Sequence, residues 1–176
     1  MPDSVWDSTL AQFRDRLAGV ESVPAGVSTA AVSAAFALSL LEKVLAIAAR
    51  RKSFSGDRAF VESLIAQARE QALQLSRLAD RDIVAYRERS REMLTVPMDV
   101  AGAAVEGLAL CDQAKPLVHA LLAPDVKTAA ALLTAAVQST LLTADFNLRQ
   151  LPEDDPYREE LTDKLRPLWQ RFREDR

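Results

Sequence analysis

Residues 24–52 read PAGVSTAAVSAAFALSLLEKVLAIAARRK and decide the fold more than any other stretch of the chain. From residue 27 to residue 50 the only charged side chains are Glu42, Lys43 and Arg50. A helix that is apolar on every side is either buried in a protein or spans a membrane. Because Glu42 and Lys43 interrupt the run before the ~20 residues that a span needs, the stretch predicts a buried helix.

The rest of the chain predicts further helices, including a second very apolar one at about residues 125–148. Apolar residues recur at helical spacing, and no alternating strand pattern occurs. Asp3 or Ser4 can cap the first helix, Asp57 the third, and Pro97 opens the fourth. We therefore predict an all-α, single-domain six-helix bundle over residues 1–176, with its second and fifth helices central. The expected helices are about 4–17, 27–50, 58–93, 97–114, 125–148 and 156–172.

Charge, cysteine and histidine content exclude several classes of function. The formal net charge of −3 provides no basic field for nucleic acid, and the arginines are too scattered for a polybasic membrane patch. Cys111 is the single cysteine and His119 the single histidine, so neither an internal disulfide nor a zinc site is expected. The chain also begins without a secretory signal pattern. We expect a cytoplasmic protein without nucleic-acid or membrane partners.

The two apolar helices also predict self-association. Central helices without charged faces leave more apolar surface than a small monomer covers well. Most soluble oligomers are two-fold dimers, so we expect a homodimer.

Two places are candidates for ligand binding or chemistry, one around Gly26 and Ser28 and the other around Asp82. Gly26 and Ser28 lie where a loop enters the apolar helix, whose free amide groups suit an anionic or carbonyl-bearing ligand. The simpler interpretation is an ordinary capped start. Asp82 lies on the apolar stripe of the third helix, with Tyr86 one turn later. It is either a desolvated carboxylate with a raised pKa or a solvated acid paired with a nearby arginine.

Three further residues each have a structural and a functional interpretation. Asp125 follows Pro124 as a helix cap or first-turn acid, and could also be a site carboxylate. Asn147 is polar in apolar company near the end of the fifth helix, where packing or ligand contact would explain it. A partly buried structural role is the default for His119. No phosphate loop, dinucleotide fingerprint, nucleophile elbow or metal-ligand spacing accompanies them.

Six short segments, taken in order, resemble the cyclodeaminase/cyclohydrolase family of all-helical folate enzymes. That family has a Pro-Gly-Gly-Gly-Ser entrance, a basic end to the helix that follows, an Asp-x-x-Ala-(Phe/Tyr) signature, a Val-Pro helix start, a Ser-Asp helix start and an asparagine-containing helix end. The corresponding segments are Pro24-Ala25-Gly26-Val27-Ser28, Arg50-Arg51-Lys52, Asp82-Ile83-Val84-Ala85-Tyr86, Val96-Pro97-Met98, Pro124-Asp125 and Asn147-Leu148. The resemblance covers about residues 10–172.

The resemblance implies a homodimeric enzyme that acts on a reduced folate as substrate, with no covalently bound cofactor and no metal. The family reaction closes or opens the five-membered ring that bridges two folate nitrogens, expelling ammonia as a lyase or adding water as a hydrolase. It implies Asp82 as the acid and base, with Asp125 as second choice. The implied substrate-binding residues are Gly26, Ser28, Arg50, Arg51, Tyr86 and Asn147, with the arginines meeting the glutamate carboxylates.

The chain departs from the family pattern at the expected cleft. Ala25 and Val27 replace glycines, and a β-branched residue resists positive φ and close backbone approach. Pro124 replaces a serine, and a Leu-Pro-Lys segment after the third helix is missing. Three functions therefore remain open: a folate cyclohydrolase or cyclodeaminase, an enzyme acting on another C–N bond or ring closure in a specialised pathway, and a non-catalytic helical scaffold dimer.

Overall fold

The computed structural model describes residues 4–174, and within that range the chain is all-α, as predicted. Its six α-helices are α1 (Leu10–Ala18), α2 (Gly26–Arg50), α3 (Arg58–Glu88), α4 (Glu92–Ala114), α5 (Ala123–Arg149) and α6 (Pro156–Glu174). Short 3₁₀ helices at Val5–Asp7 and Lys115–Leu117 precede α1 and follow α4. The second contains Pro116 and follows directly on α4.

Helices α2 to α5 form an antiparallel bundle in which α2 contacts both α3 and α5, and α4 closes the ring between them. Helix α6 lies across α4 and α5. The core of α2 combines large side chains, such as Leu38 and Leu41, with alanines that are fully buried. Opposite Leu38, a Cβ atom on Gly107 of α4 would lie only 3.1 Å from the leucine Cδ2. Small residues therefore let these helices approach closely, as expected for α2.

The boundary between α3 and α4 differs from the prediction. Helix α3 ends at Glu88 instead of about Met93, and α4 begins at Glu92, so Pro97 lies inside α4. Proline has no N–H group, so it cannot donate to the carbonyl four residues earlier. The Nδ2 group of Asn147, from the end of α5, donates to the Met93 carbonyl at 2.9 Å. A side chain thus replaces the missing backbone donor, and the helix continues through the proline.

The N-terminal segment also differs from the single predicted helix. Ser4 does cap a helix, by accepting a hydrogen bond from the Trp6 N–H, but that helix is the 3₁₀ turn Val5–Asp7. A new cap at Thr9, reciprocated by the Gln12 side chain, opens α1. The alternative cap, Asp3, lies outside the described residues.

Three helices have the length and hydropathy of a membrane span: α2, α5 and the segment formed by α4 with the 3₁₀ turn after it. The expectation that Glu42 and Lys43 would make α2 too short for this is therefore wrong by that measure. Helix α3, packed against α2 and α4, presents charged residues outwards along its length, including Glu62, Arg69 and Arg77.

Candidate functional site

The start of α2 is held by a carboxylate from α3. Ser28 is completely buried, and both its backbone N–H and its Oγ–H donate to Oδ2 of Asp82, at 3.0 and 2.5 Å. Ala25, at the cap position, has no polar side chain to satisfy these first-turn amides. Asp82 therefore takes over the capping role from a different helix, at the end of α2 where a negative charge is most favourable.

Asp82 is a partly desolvated carboxylate, as one of the two sequence interpretations proposed. Burial raises the pKa of Asp82, and the two hydrogen bonds from Ser28 oppose that rise without cancelling it. The alternative, a solvated acid paired with an arginine, is wrong, because Asp82 forms no ion pair within residues 4–174. Arg81 pairs with Glu92 instead. Both Ser28 bonds go to Oδ2, and Oδ1 is not among the enclosed unpaired atoms, so it has access to solvent.

The neighbouring carboxylate Asp80 has a structural task. Its Oδ2 accepts from the Ser4 hydroxyl at 2.7 Å and its Oδ1 from the Val5 N–H at 2.8 Å. Asp80 thus fastens the N-terminal segment to α3. Two carboxylates two residues apart therefore differ in role, and only Asp82 retains a free oxygen.

The entrance to α2 is open and needs no unusual backbone conformation. A Cβ atom added to Gly26 would meet nothing within 4 Å, so space lies above the helix start. Val27 is helical and buried, and it points away from that space. The only non-glycine residue with positive φ in residues 4–174 is Arg89. The helical conformation of Val27 agrees with the expectation that a β-branched residue resists positive φ.

Tyr86 lies one turn after Asp82 on α3 and is 44% exposed, not buried on the apolar stripe. It lines a cavity of about 320 Å³ beside the start of α2. The other lining residues are Arg16, Glu21, Ser22, Val23, Arg87 and Arg89. Asp82 itself is not among the lining residues, and Tyr86, one helical turn later, connects its position on α3 with the cavity.

The predicted site residues are divided between the two ends of the bundle. Gly26, Ser28, Asp82 and Tyr86 lie at one end, which we name the Asp82 end. Arg50 and Arg51 close α2 at the other, the Arg51 end. A helix of 25 residues is about 36 Å long at ~1.5 Å per residue, so one small ligand does not reach both ends of the same chain.

Two other predicted residues do not join Asp82 either. Asp125 is exposed in the first turn of α5, whose opposite end carries Asn147, so it lies at the Arg51 end. Asn147 lies at the Asp82 end, but its amide is used to satisfy the Met93 carbonyl. This hydrogen bond gives Asn147 a structural role, which agrees with the interpretation that packing explains it.

The Arg51 end contains a cavity of about 230 Å³ that includes Arg51 and His119. The Nδ1 atom of His119 accepts from the Leu121 N–H at 3.3 Å, and the residue is exposed, not partly buried. Cys111, near the end of α4, is fully buried, and burial raises the pKa of its thiol to about 12. A thiol with a pKa raised in this way is not an active nucleophile near neutral pH. Within residues 4–174 no three acidic, histidine or cysteine side chains cluster to hold a metal ion.

Sequence reasoning also missed a carboxylate that is exposed yet has a raised pKa, Asp99 of α4. It lines a groove of about 850 Å³ between α4 and α6, together with Lys164 and Arg171. Burial raises the pKa of Asp99, and the positive charge of Arg81 opposes that effect. The available signal was an acid directly after Pro97-Met98, in an otherwise apolar stretch.

Comparisons with known proteins identify the family of the chain and match its fold. The family model described as formiminotransferase-cyclodeaminase matches residues 9–91 and 85–167. The chain is also similar to the crystal structure of formiminotetrahydrofolate cyclodeaminase from Thermotoga maritima, with a TM-score of 0.87 and 23% sequence identity. That similarity covers 97% of this chain and 93% of the other. Among curated proteins no match is found.

Proposed function

Since this chain belongs to the formiminotransferase-cyclodeaminase family, we propose that it is an enzyme that closes or opens a C–N bond of a reduced folate, with Asp82 as its acid and base. The observation that carries the proposal is the Asp82 carboxylate held by Ser28 at the start of α2, with a raised pKa and a free oxygen. The similar Thermotoga maritima protein supports the reaction class by its name, formiminotetrahydrofolate cyclodeaminase.

The reaction needs a proton to leave one nitrogen and reach another. In the cyclodeaminase direction, a folate nitrogen attacks the formimino carbon, a C–N bond closes the ring, and the amino group leaves as ammonia. Asp82 accepts the proton of the attacking nitrogen and delivers it to the departing amino group. In the cyclohydrolase reaction, water adds to the cationic bridging carbon and a ring C–N bond breaks. The same carboxyl moves one proton of the water to the freed nitrogen, and the other proton is released to solvent. One group with two accessible protonation states serves both directions.

The environment of Asp82 suits this exchange. A raised pKa brings the protonated form closer to neutral pH, so the carboxyl can donate as well as accept. When the carboxyl ionises, the hydrogen bonds from Ser28 and the amino end of α2 stabilise the carboxylate. Its negative charge also stabilises the cationic amidine-like carbon centre of the substrate.

The direct test is the absorbance loss of methenyltetrahydrofolate in the presence of purified protein, with ammonia release from formiminotetrahydrofolate as the second readout. We expect the wild type to accelerate one of these reactions and Asp82→Asn to abolish the acceleration. Asp80→Asn is the matched control, because Asp80 lies two residues earlier and holds only the N-terminal segment. If the protein does not accelerate either reaction at high enzyme concentration, the folate reaction is contradicted. The remaining candidates are then an enzyme with another substrate and a non-catalytic scaffold.

The proposal includes a homodimer formed through α5. This helix exposes a stripe of side chains at alternating spacings of three and four residues, namely Leu132, Ala135, Ser139, Leu142 and Phe146. That spacing is the one by which two helices pack along a seam, and a second copy offers the same stripe. Phe146 is 63% exposed in the single chain. The charged outer face of α3 favours a dimer in the cytoplasm over a bundle in the membrane.

Light scattering tests the dimer. We expect a mass of two chains at micromolar concentration for the wild type and of one chain for Leu142→Glu. Leu73→Glu on α3 is the control, since Leu73 is equally exposed but lies off the α5 stripe. A wild-type mass of one chain, or a dimer that survives Leu142→Glu, overturns this interface.

A further inference from the structure

The cavity lined by Tyr86, one helical turn from Asp82, also contains three arginines and one carboxylate. Arg16 comes from the last turn of α1, and Arg87 and Arg89 come from the end of α3, with Glu21 as the acid. None of the three guanidinium groups forms an ion pair with an acid in the described part of the chain. Three positive charges with one negative charge around about 320 Å³ leave the cavity with a net positive field.

One of these arginines is held in an unsatisfied position. The Nη1 atom of Arg16 is enclosed from solvent and has no hydrogen-bond partner among the described residues. A buried N–H group of a cation without a partner costs free energy, and such groups are rare in folded proteins. Because the Arg16 side chain also lines the cavity, a ligand that draws its guanidinium outwards would give this nitrogen a partner.

A second arginine occupies a backbone conformation that normally belongs to glycine. Arg89 ends α3 with φ of 51° in the left-handed region, where glycine or asparagine is the usual residue. The conformation is unfavourable for a residue with a long side chain. The chain nevertheless places an arginine here, and its side chain lines the cavity. The strain at the helix end is compensated if this guanidinium binds a ligand.

We propose that the cavity formed by Arg16, Arg87 and Arg89 binds an anionic group of the ligand, a carboxylate or a phosphate, while the reacting part lies at Asp82. The placement beside Asp82 rests on the proposed function, whereas the anion binding does not. Guanidinium groups bind carboxylates and phosphates through paired hydrogen bonds, which fixes the ligand's orientation as well as its affinity. This cavity thus takes the role that the family resemblance implied for Arg50 and Arg51, which lie at the far end of α2.

Calorimetric titration tests the proposal with three probes: folic acid, which carries a glutamate; pteroic acid, which lacks it; and pyrophosphate. The variants are Arg87→Gln and Arg89→Gly, and the control is Arg77→Gln. Arg77 is an exposed arginine on the same helix that lines no described cavity. We expect each cavity variant to weaken binding of an anionic probe about tenfold or more, and the control to leave it unchanged.

The probes separate the two sources of the anion. If folic acid binds more tightly than pteroic acid and only its binding depends on the cavity arginines, the group is a carboxylate. Arginine-dependent binding of pyrophosphate alone identifies a phosphate. Equal affinities of wild type, Arg87→Gln and Arg89→Gly for all three probes overturn the proposal.

Arg89→Gly also separates loss of the site from loss of the fold. Glycine relieves the left-handed conformation, so this variant should unfold at a higher temperature than the wild type while binding the anion less well. A variant that is less stable and binds less well contradicts the argument from Arg89. Methenyltetrahydrofolate turnover with unchanged anion binding in the variants would refute the cavity and keep the proposed function. Pyrophosphate binding that depends on the arginines, without turnover, would support the cavity and contradict the proposed function.

Discussion

The two ends of the bundle contain similar residues and differ in what those residues contact. The Asp82 end has a carboxylate bonded to a buried serine of another helix, and next to it an arginine-lined cavity. The Arg51 end has basic residues closing α2 and Asp125 opening α5, each at the helix end where its own charge is favourable. Charges that only complement a helix dipole carry no chemistry. A candidate site forms where a charged side chain has its hydrogen-bond partner on another helix, as Asp82 does.

Replacement of the acids gives the largest expected difference between the ends. Asp82→Asn removes the proton-transferring group, and we expect kcat for the folate reaction to fall about 10²- to 10⁴-fold, the usual contribution of an acid–base group. Asp125→Asn should leave kcat within twofold, because that carboxylate lies a helix length away from Asp82. Steady-state kinetics on both variants measures the contrast. Equal losses would mean that the two ends of different chains form one site.

A second prediction concerns the support of α4 at the Asp82 end. Asn147→Leu removes the donor to the Met93 carbonyl, which should lower the free energy of unfolding by about 1–3 kcal/mol. Pro97→Ala restores a backbone N–H at the position from which α4 would bond Met93. In the Pro97→Ala protein, the loss of unfolding free energy caused by Asn147→Leu should be about 1 kcal/mol smaller. Urea denaturation of the four proteins of this cycle provides the measurement, and additive costs would assign Asn147 another role.

The Asn147 contact also explains which parts of the fold the sequence predicts. The extent of α2 follows from the sequence, because a long apolar run between Pro24 and the basic residues at 50–52 predicts one helix, observed at Gly26–Arg50. The end of α3 and the start of α4 could not be predicted in this way. Proline usually marks the start of a helix, and that rule failed at Pro97 because a residue from α5 replaces the missing donor. A local sequence pattern does not reveal a contact with a residue from another helix.

The candidate site shows the same limit. Periodicity places Asp82 on the apolar stripe of α3, which leaves a desolvated and a solvated acid both open. It does not identify Ser28 as the partner, because that contact depends on the register between two helices. The approach of Arg16 to the end of α3 depends in the same way on how α1 packs. Basic residues after Tyr86 are visible in the sequence, whereas the cavity they line is not.

The pH dependence of stability sharpens the comparison further. The folded-state pKa of Asp82 is raised, so between its unfolded and folded values the folded protein binds more protons than the unfolded one. Stability contributed by this group is therefore fully present below the unfolded pKa, near 3.8, and decreases as pH rises through the folded value. Asp82→Asn should lack this decrease. Thermal unfolding from pH 4 to pH 7 on both proteins checks it, and a wild type that gains stability relative to Asp82→Asn over that range reverses the sign.

The smallest effect is expected at the Arg51 end. Asp125 is exposed in the first turn of α5, and its charge interacts favourably with the amino end of that helix, so Asp125→Asn should cost about 0.3–1 kcal/mol in low salt. Since salt screens an exposed charge, the difference should fall towards zero at about 1 M NaCl, where the screening length is about 3 Å. Denaturation at the two salt concentrations gives both values. If Asp125→Asn still lowers the free energy of unfolding in high salt, Asp125 has a buried partner, as Asp82 does. The two ends of the bundle would then be more alike than the positions of these acids at helix ends imply.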